Sequence, residues 1–365
     1  MWHITLNATK TIMQTFSTKR DIQLPQLTFG GNAIQQTNAH KHLGLTLSKD
    51  LRFHSHVNEL IQKVNRALSP LYSIAKYIPR DVLSQIYTTY VQPHFDYCDI
   101  VYDGHLTFHD SQRLQTLQNR AARLITGVPF RTPTNRLLRD LGWNTLSLRR
   151  NMHRLIMYHK LTNTNDRLPD YITRELPHTR RHDTSRALRN ASTHSLPPNN
   201  TTLFQISFIP ATTREWNKLP ECIRSITSPR SFKREVFRLL GVPTPPLYYS
   251  LGTKIGNTLH TKLRVGMSDL NAHLYSIQKV MAPFCECRNV SETTTHFILQ
   301  CQLHVQCRAR LHRTLSDILH IDFSQLPRDT QTHTLLHGTQ LSTSERGGVA
   351  RSFQSFLMES KRFHL

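Results

Sequence analysis

Acidic residues are scarce in this chain. Over 365 residues, 24 Asp and Glu stand against 46 Lys and Arg, a formal net charge of +22. So little negative charge favours polyanionic partners, of which nucleic acid is the usual one; the plainer alternative is a helical protein with a solvated basic surface. Long apolar runs are missing too. No stretch of about 18 apolar residues occurs, so no segment has the makings of a membrane-spanning helix. The opening MWHITLNATK lacks the apolar centre of a signal peptide. Cysteine is limited to 6 residues. Without a secretory signal these do not read as a disulfide framework, and a reducing compartment, nuclear or cytoplasmic, is expected. Two adjacent aspartates occur nowhere, and no carboxylate set that would hold the ions of a two-metal polymerase site can be assembled. Gly30-Gly31 and Gly347-Gly348 lack the surroundings of a phosphate loop. Hydrophobic residues, at 38%, suffice for helical cores but are few for one large globule.

The periodicity points to a mainly α fold with a little β structure at the start. Thr11 to Phe16, Gln26 to Phe29 and His42 to Leu47 read as short strands separated by glycine and polar turns. From Val57 the period becomes helical: Val57, Leu60, Ile61, Val64, Ala67, Leu68 and Leu71 recur at three- and four-residue steps, ending near Pro79, with Pro70 a candidate bend. Asp81 can cap a second helix through Tyr90. A third is expected over 111–125, stopped by Gly127 and Pro129, and a fourth over 146–161. Residues 177–207 read as a long polar loop with an edge strand at Leu203 to Ile209, followed by short helices at 211–218 and 229–240. Val242-Pro243-Thr244-Pro245-Pro246 reads as a stiff linker before a second, mostly helical unit. The expected divisions are 1–50, 51–130, 131–240, a linker at 241–254, a cysteine-bearing domain at 255–312, and a helical tail at 313–365.

Two sets of residues carry chemistry. The first is basic. Between residues 113 and 190 there are 16 Arg and Lys against 5 Asp and Glu. On the third helix Leu114, Leu117, Ala121, Leu124 and Ile125 make the buried arc, with Arg113, Arg120 and Arg123 beside it. On the fourth, Leu148, Met152, Leu155 and Ile156 are expected to face inward while Arg149, Arg150, Arg154 and Lys160 face out. The planar guanidinium suits phosphate, so these seven cations are the candidate nucleic-acid contacts, against a reading as a solvated face. Phe95, Tyr97, Tyr102, Trp143 and Trp216 are read as core anchors rather than base-stacking platforms, with Cys98 and Cys222 as buried thiols beside them. Asp96, Asp99 and Asp103 are read as turn and cap residues.

The second set is Cys285-x-Cys287, eight residues, His296, four residues, Cys301. Three thiolates and one imidazole make a tetrahedral Zn²⁺ set; Cys307 and His304 are spare candidates for the fourth position, and reduced cysteines in a small core are the alternative.

Several segments resemble the region following the polymerase core in non-long-terminal-repeat retrotransposon reverse transcriptases of the jockey and chicken-repeat type. They are HFDYCDIVYDG (94–104), LQNRAARLITGVP (117–129), LGWNTLSLRR (141–150) and WNKLP (216–220). Trp2, Asn7, Lys10 and Thr11 match the stretch after the catalytic hairpin, and Lys41-His42-Leu43-Gly44 the primer-grip neighbourhood. Leu263-Arg264-x-Gly266, Leu270-Asn271-Ala272-His273 and the Cys/His set resemble the C-terminal knuckle. The resemblance implies a palm remnant, helical thumb, basic connector and zinc knuckle, with RNA and DNA as partners and no membrane or small-molecule substrate. It implies that the catalytic aspartates precede Met1. Lys10 is then at most an auxiliary group, Mg²⁺ is a cofactor only of the complete enzyme, and no polymerisation is expected of this chain alone. A truncated element or gene-model fragment is the expected origin. A domesticated nucleic-acid-binding protein and a helical interaction protein are the alternatives.

Overall fold

Short strands occupy the start of the chain and helices the rest. The computed structural model describes residues 7, 10–19, 25–163, 168–177, 193–198, 201–241, 251–287 and 290–363. β1 (Ile12–Met13) is followed by a hairpin of β2 (Thr28–Phe29) and β3 (Asn32–Ala33), then by β4 (Gln35–Gln36), which pairs in parallel with β1. β5 (Ala39–His42) and β6 (Leu45–Ser48) form a second antiparallel hairpin. The run His42 to Leu47, expected as one strand, is therefore folded about Leu43-Gly44. Both turn residues have positive φ, 46° and 83°, as a two-residue hairpin turn of matching twist demands, with glycine bearing the larger angle.

α1 (His54–Ile74) buries Val57, Leu60, Val64, Ala67, Leu68 and Leu71, the stripe expected of it. It runs through Pro70 and stops five residues before Pro79. α2 (Arg80–Ile86) begins after Pro79, with Asp81 in its first turn and not at the cap. A π-helical turn at Tyr87–Val91 leads into α3 (Gln92–Asp96) and α4 (Asp99–Tyr102). α5 (Phe108–Thr126) buries Leu114, Leu117, Ala121 and Ile125 and ends at Gly127, whose φ of 66° closes the last turn. α6 (Thr134–Leu141) and α7 (Leu146–Asn163) follow, then α8 (Asp170–Glu175).

The edge strand expected at Leu203 to Ile209 is helical instead: α9 (Thr202–Gln205) and α10 (Phe208–Asn217). Thr201 caps the first by accepting from the Phe204 amide. Pro210 sits in the first turn of the second, where no intrahelical N–H is needed. α11 (Glu221–Arg224) and α12 (Pro229–Leu239) complete this region. After the proline-rich linker, which lies outside the described residues, come α13 (Lys254–Arg264), α14 (Asn271–Ser276), a π-helical turn at His296–Gln300, α15 (Val305–Leu319), α16 (Arg328–Leu336) and α17 (Thr343–Glu359).

The chain divides into two compact units, each gathered from separated stretches. One comprises Met1–Arg66, Gln92–Leu117 and Thr145–Gly241. Part of its core is aromatic: Trp216 lies against Tyr158, Phe232 and His194, with ring centroids 5.2, 5.3 and 5.6 Å away. Here Gly104 is indispensable, because a Cβ at that position would lie 1.8 Å from the Ile206 carbonyl oxygen. The other unit comprises Ala67–Val91, Gln118–Asn144 and Val242–Leu365. One apolar cluster in it joins Leu259 and Leu263 of α13, Phe297 and Ile298 of the π turn, Leu311 and Leu315 of α15, and Phe353 and Phe356 of α17. Trp143 stacks on Tyr87 at 4.1 Å in this unit. Phe95, Tyr102 and Trp216 are buried as expected of core anchors, but Tyr97 is exposed: its hydroxyl donates to the Leu43 carbonyl at 2.6 Å and its ring lies over Gly44. Cys222 is exposed and Cys98 half-buried, so neither is the buried thiol expected; Cys98 takes a left-handed conformation (φ 53°) ahead of α4.

Candidate metal centre and the arginine-bearing helices

The Cys/His set converges in space. An antiparallel bridge between Phe284 and Ser291 closes a short loop, and the Cys285 amide donates to the Val290 carbonyl at 2.7 Å. This loop presents Cys285 and Cys287. His296 opens the π turn, its amide donating to Thr293 Oγ1 at 3.1 Å, and Cys301 follows the turn, its amide donating to the His296 carbonyl at 2.8 Å. The wide π turn is what lets residues five apart face one point; such turns often mark functional positions. All four ligand atoms lie within 4.8 Å of one another. Cys285 Sγ and Cys301 Sγ are 3.6 Å apart, Cys287 Sγ and His296 Nε2 3.3 Å. A tetrahedral zinc with bonds of about 2.3 Å to sulfur and about 2.0–2.1 Å to nitrogen has ligand edges of about 3.5–3.8 Å, so the residues fit that ion. His304 and Cys307 do not belong to the group. His304 packs its ring edge-on to Phe297, and the Cys307 sulfur accepts from Arg310.

The shell around the centre is itself anchored. Arg308, buried, donates to the carbonyls of Ile298 and Cys301. Glu292, also buried, receives both arms of Arg362 at 2.6 Å and the Asn271 amide at 2.7 Å. Burial pushes the Cys285 thiol up to about 12, and the neighbouring sulfurs of Cys287 and Cys301 add to this. A divalent cation would reverse that balance, because its charge offsets the mutual repulsion of thiolates.

In the first unit, α7 lies beside α4, and its arginines and His153 meet the three aspartates of HFDYCDIVYDG. Arg149 holds Asp96 with two bonds, 2.6 and 2.7 Å. Arg150 is buried; its Nε reaches Asp103 at 2.5 Å and its Nη2 the Ser111 hydroxyl at 3.1 Å. Arg154 Nε approaches the other Asp103 oxygen at 3.2 Å, and His153 Nδ1 lies 2.6 Å from Asp99. Burial raises the Asp99 carboxyl, against the pull of His153. The Asp96, Asp99 and His153 ligand atoms are close enough to suggest a cation site, but Arg149 and His153 already occupy the two carboxylates.

The outward-facing expectation for Arg149, Arg150 and Arg154 is thus corrected: they are partners of Asp96 and Asp103, and those aspartates are ion-pair residues and not merely cap or turn residues. The signal was present. Asp96, Asp99 and Asp103 recur at helical spacing, and so do Arg149/Arg150, His153 and Arg154, but only contact between the two segments gives the spacing its meaning.

The other candidates divide. Arg113 pairs with the buried Asp110 at 3.1 Å. Arg123 is half-buried, its guanidinium 4.8 Å from the centre of the Phe130 ring. Arg120 and Lys160 are exposed, as is Lys10. No helix among the described residues is long and apolar enough to cross a membrane.

Comparison with known proteins finds three similar sequences. The chain is 29% identical over 183 residues to a probable RNA-directed DNA polymerase from transposon X-element of Drosophila melanogaster, covering 48% of this chain and 20% of that protein. It is 28% identical over 145 residues to the RNA-directed DNA polymerase from mobile element jockey of the same species, covering 38% and 15%. The jockey polymerase of Drosophila funebris is 27% identical over 144 residues, with the same shares. The chain therefore spans a fifth or less of the length of the curated relatives it matches. No family model and no solved structure matches it.

Proposed function

We propose a function on the premise that this chain is a relative of the RNA-directed DNA polymerases of the jockey and X-element retrotransposons. In this reading it is a nucleic-acid-holding part of such an enzyme, keeping template RNA and primer DNA in place while catalytic carboxylates outside this chain add nucleotides. The observation that carries the reading is the charge: +22 overall, with 16 basic against 5 acidic residues over 113–190. Backbone phosphates are the natural counterpart of such an excess, and contacts to them give affinity without sequence preference. The exposed Arg120 and Lys160 are the proposed phosphate contacts. Arg149, Arg150 and Arg154 serve mainly to tie α7 to the aspartate-bearing segment, since a phosphate would have to displace carboxylates at 2.5 to 3.2 Å. Zn²⁺ is the proposed occupant of the Cys285, Cys287, His296 and Cys301 set, in a structural role that fixes the 284–301 loop beside α15.

The test is fluorescence anisotropy with labelled single-stranded RNA and DNA at several salt concentrations. Affinity should fall steeply with salt and differ little between sequences. Replacing Arg120 and Lys160 by glutamine should flatten the slope of log K against log salt by about 1.4–1.8, since each phosphate contact contributes about 0.7–0.9. An unchanged slope in a folded double variant refutes the assignment of these two residues. Absence of salt-dependent binding in the parent refutes the nucleic-acid reading altogether.

A further inference from the structure

A cationic pocket lies in the unit of Ala67–Val91, Gln118–Asn144 and Val242–Leu365, and none of the arginines of α7 lines it. Its volume is about 380 Å³. Arg136 and Arg139 of α6, Arg264 at the end of α13, and His333 and His337 at the end of α16 line it, against one carboxylate, Asp140. Asp140 is buried, with Arg264 Nε 3.1 Å away, so that pair is compensated internally. Arg136 Nη1 donates to the Val265 carbonyl at 3.0 Å, a neutral acceptor that orients the guanidinium without cancelling its charge. Arg139 is exposed and has no side-chain partner among the described residues. The rings of His333 and His337 are 5.0 Å apart. Burial, and after it Arg264 and His333, hold the His337 imidazole below its ordinary value, so this ring is a neutral donor at neutral pH.

We infer that this pocket binds a phosphate monoester, with Arg136 and Arg139 as its guanidinium partners and His333 and His337 as further donors. Once Asp140 has neutralised Arg264, two full positive charges remain. A phosphate monoester carries about −1.5 to −2 at neutral pH and matches them, whereas a diester carries only one negative charge. The guanidinium fork bonds two phosphate oxygens at once. The volume falls in the lower part of the range for small-molecule sites, about 300–1,000 Å³, and leaves room beside the phosphoryl group for part of a nucleoside. The inference does not rest on the nucleic-acid reading above. It concerns other residues, and unphosphorylated oligonucleotides test that reading separately.

Titration calorimetry of the full chain at low salt tests it with adenosine 5′-monophosphate, inorganic phosphate and adenosine. The first two should bind and adenosine should not. Arg139→Gln combined with His333→Gln, both at exposed positions, should weaken nucleotide binding about tenfold or more, the worth of one charge-assisted hydrogen bond. Arg313→Gln, a charge loss on α15, should leave it unchanged. A 5′-phosphorylated oligonucleotide bound about tenfold more tightly than its 5′-hydroxyl twin would identify a polynucleotide end as the ligand. Equal affinity of the two oligonucleotides, with mononucleotide binding intact, would identify a free nucleotide. No binding of nucleotide or phosphate would overturn the proposal, as would equal losses in the pocket and α15 variants with circular dichroism unchanged.

Discussion

Replacing Asp103 by asparagine would leave the side chain's shape nearly intact and remove a carboxylate that two arginines of α7 share. Arg150 Nε lies 2.5 Å from one oxygen and Arg154 Nε 3.2 Å from the other. The three side chains are largely shut off from water: Arg150 is 5% exposed, Asp103 13% and Arg154 12%. A buried ion pair adds little net stability over an apolar substitute, but breaking one from a single side strands a charge in a poor solvent, at about 3–5 kcal/mol. Here the cation stranded is mainly Arg150, since Arg154 is farther from its partner. For a unit of about 150–250 residues, each kcal/mol shifts the melting temperature by about 2–4 °C, so Asp103→Asn should lower it by about 6–20 °C. The exposed pair Lys218–Glu215 is the control: at 70% and 33% exposure it contributes below about 1 kcal/mol, so Lys218→Met should shift melting by less than about 4 °C. Melting is read from Trp216 fluorescence, because that ring is buried in the core of the same unit. If Asp103→Asn melts no earlier than Lys218→Met, the aspartate segment does not hold α7, and the arginines would return to consideration as free phosphate contacts.

Two further outcomes are expected. Chelation should remove one zinc per chain and loosen the 284–301 loop together with the start of α15, and Cys301→Ser should abolish metal retention; elemental analysis finding no metal, or full retention in the variant, would show the ligand set to be wrong. His260, buried against Phe353 at 5.1 Å, is held down to about 3 by burial and then by Arg264, against 6.5 when exposed. A base with a depressed value keeps its contribution above pH about 6.5 and loses it as pH falls from there towards 3, by at most a few kcal/mol. Urea unfolding between pH 7 and 4 should therefore show a shallower loss of stability in His260→Leu than in the parent, and identical slopes would refute it.

The Cys/His set, the buried stripe of α1 and the arc of α5 were legible along the chain because each rests on local spacing: ligands a few residues apart, or apolar side chains at helical steps. The helical ends at Gly127 and ahead of Pro79 belong to the same class. The hairpin turn inside His42 to Leu47 and the helices where a strand was expected at Leu203 to Ile209 escaped, since short apolar runs take whichever form the packing around them favours. Partnership across distance was illegible as well. Asp96, Asp99 and Asp103 precede their α7 partners by about fifty residues, Glu292 meets Arg362 from farther still, and the pocket arginines of α6 join histidines from α16. The sequence by itself determined how much positive charge the protein carries and which residues can hold a metal. Tertiary structure alone decided which arginines are spent on carboxylates and which face solvent, because the energy of a charge depends on what the fold brings within a few ångströms of it.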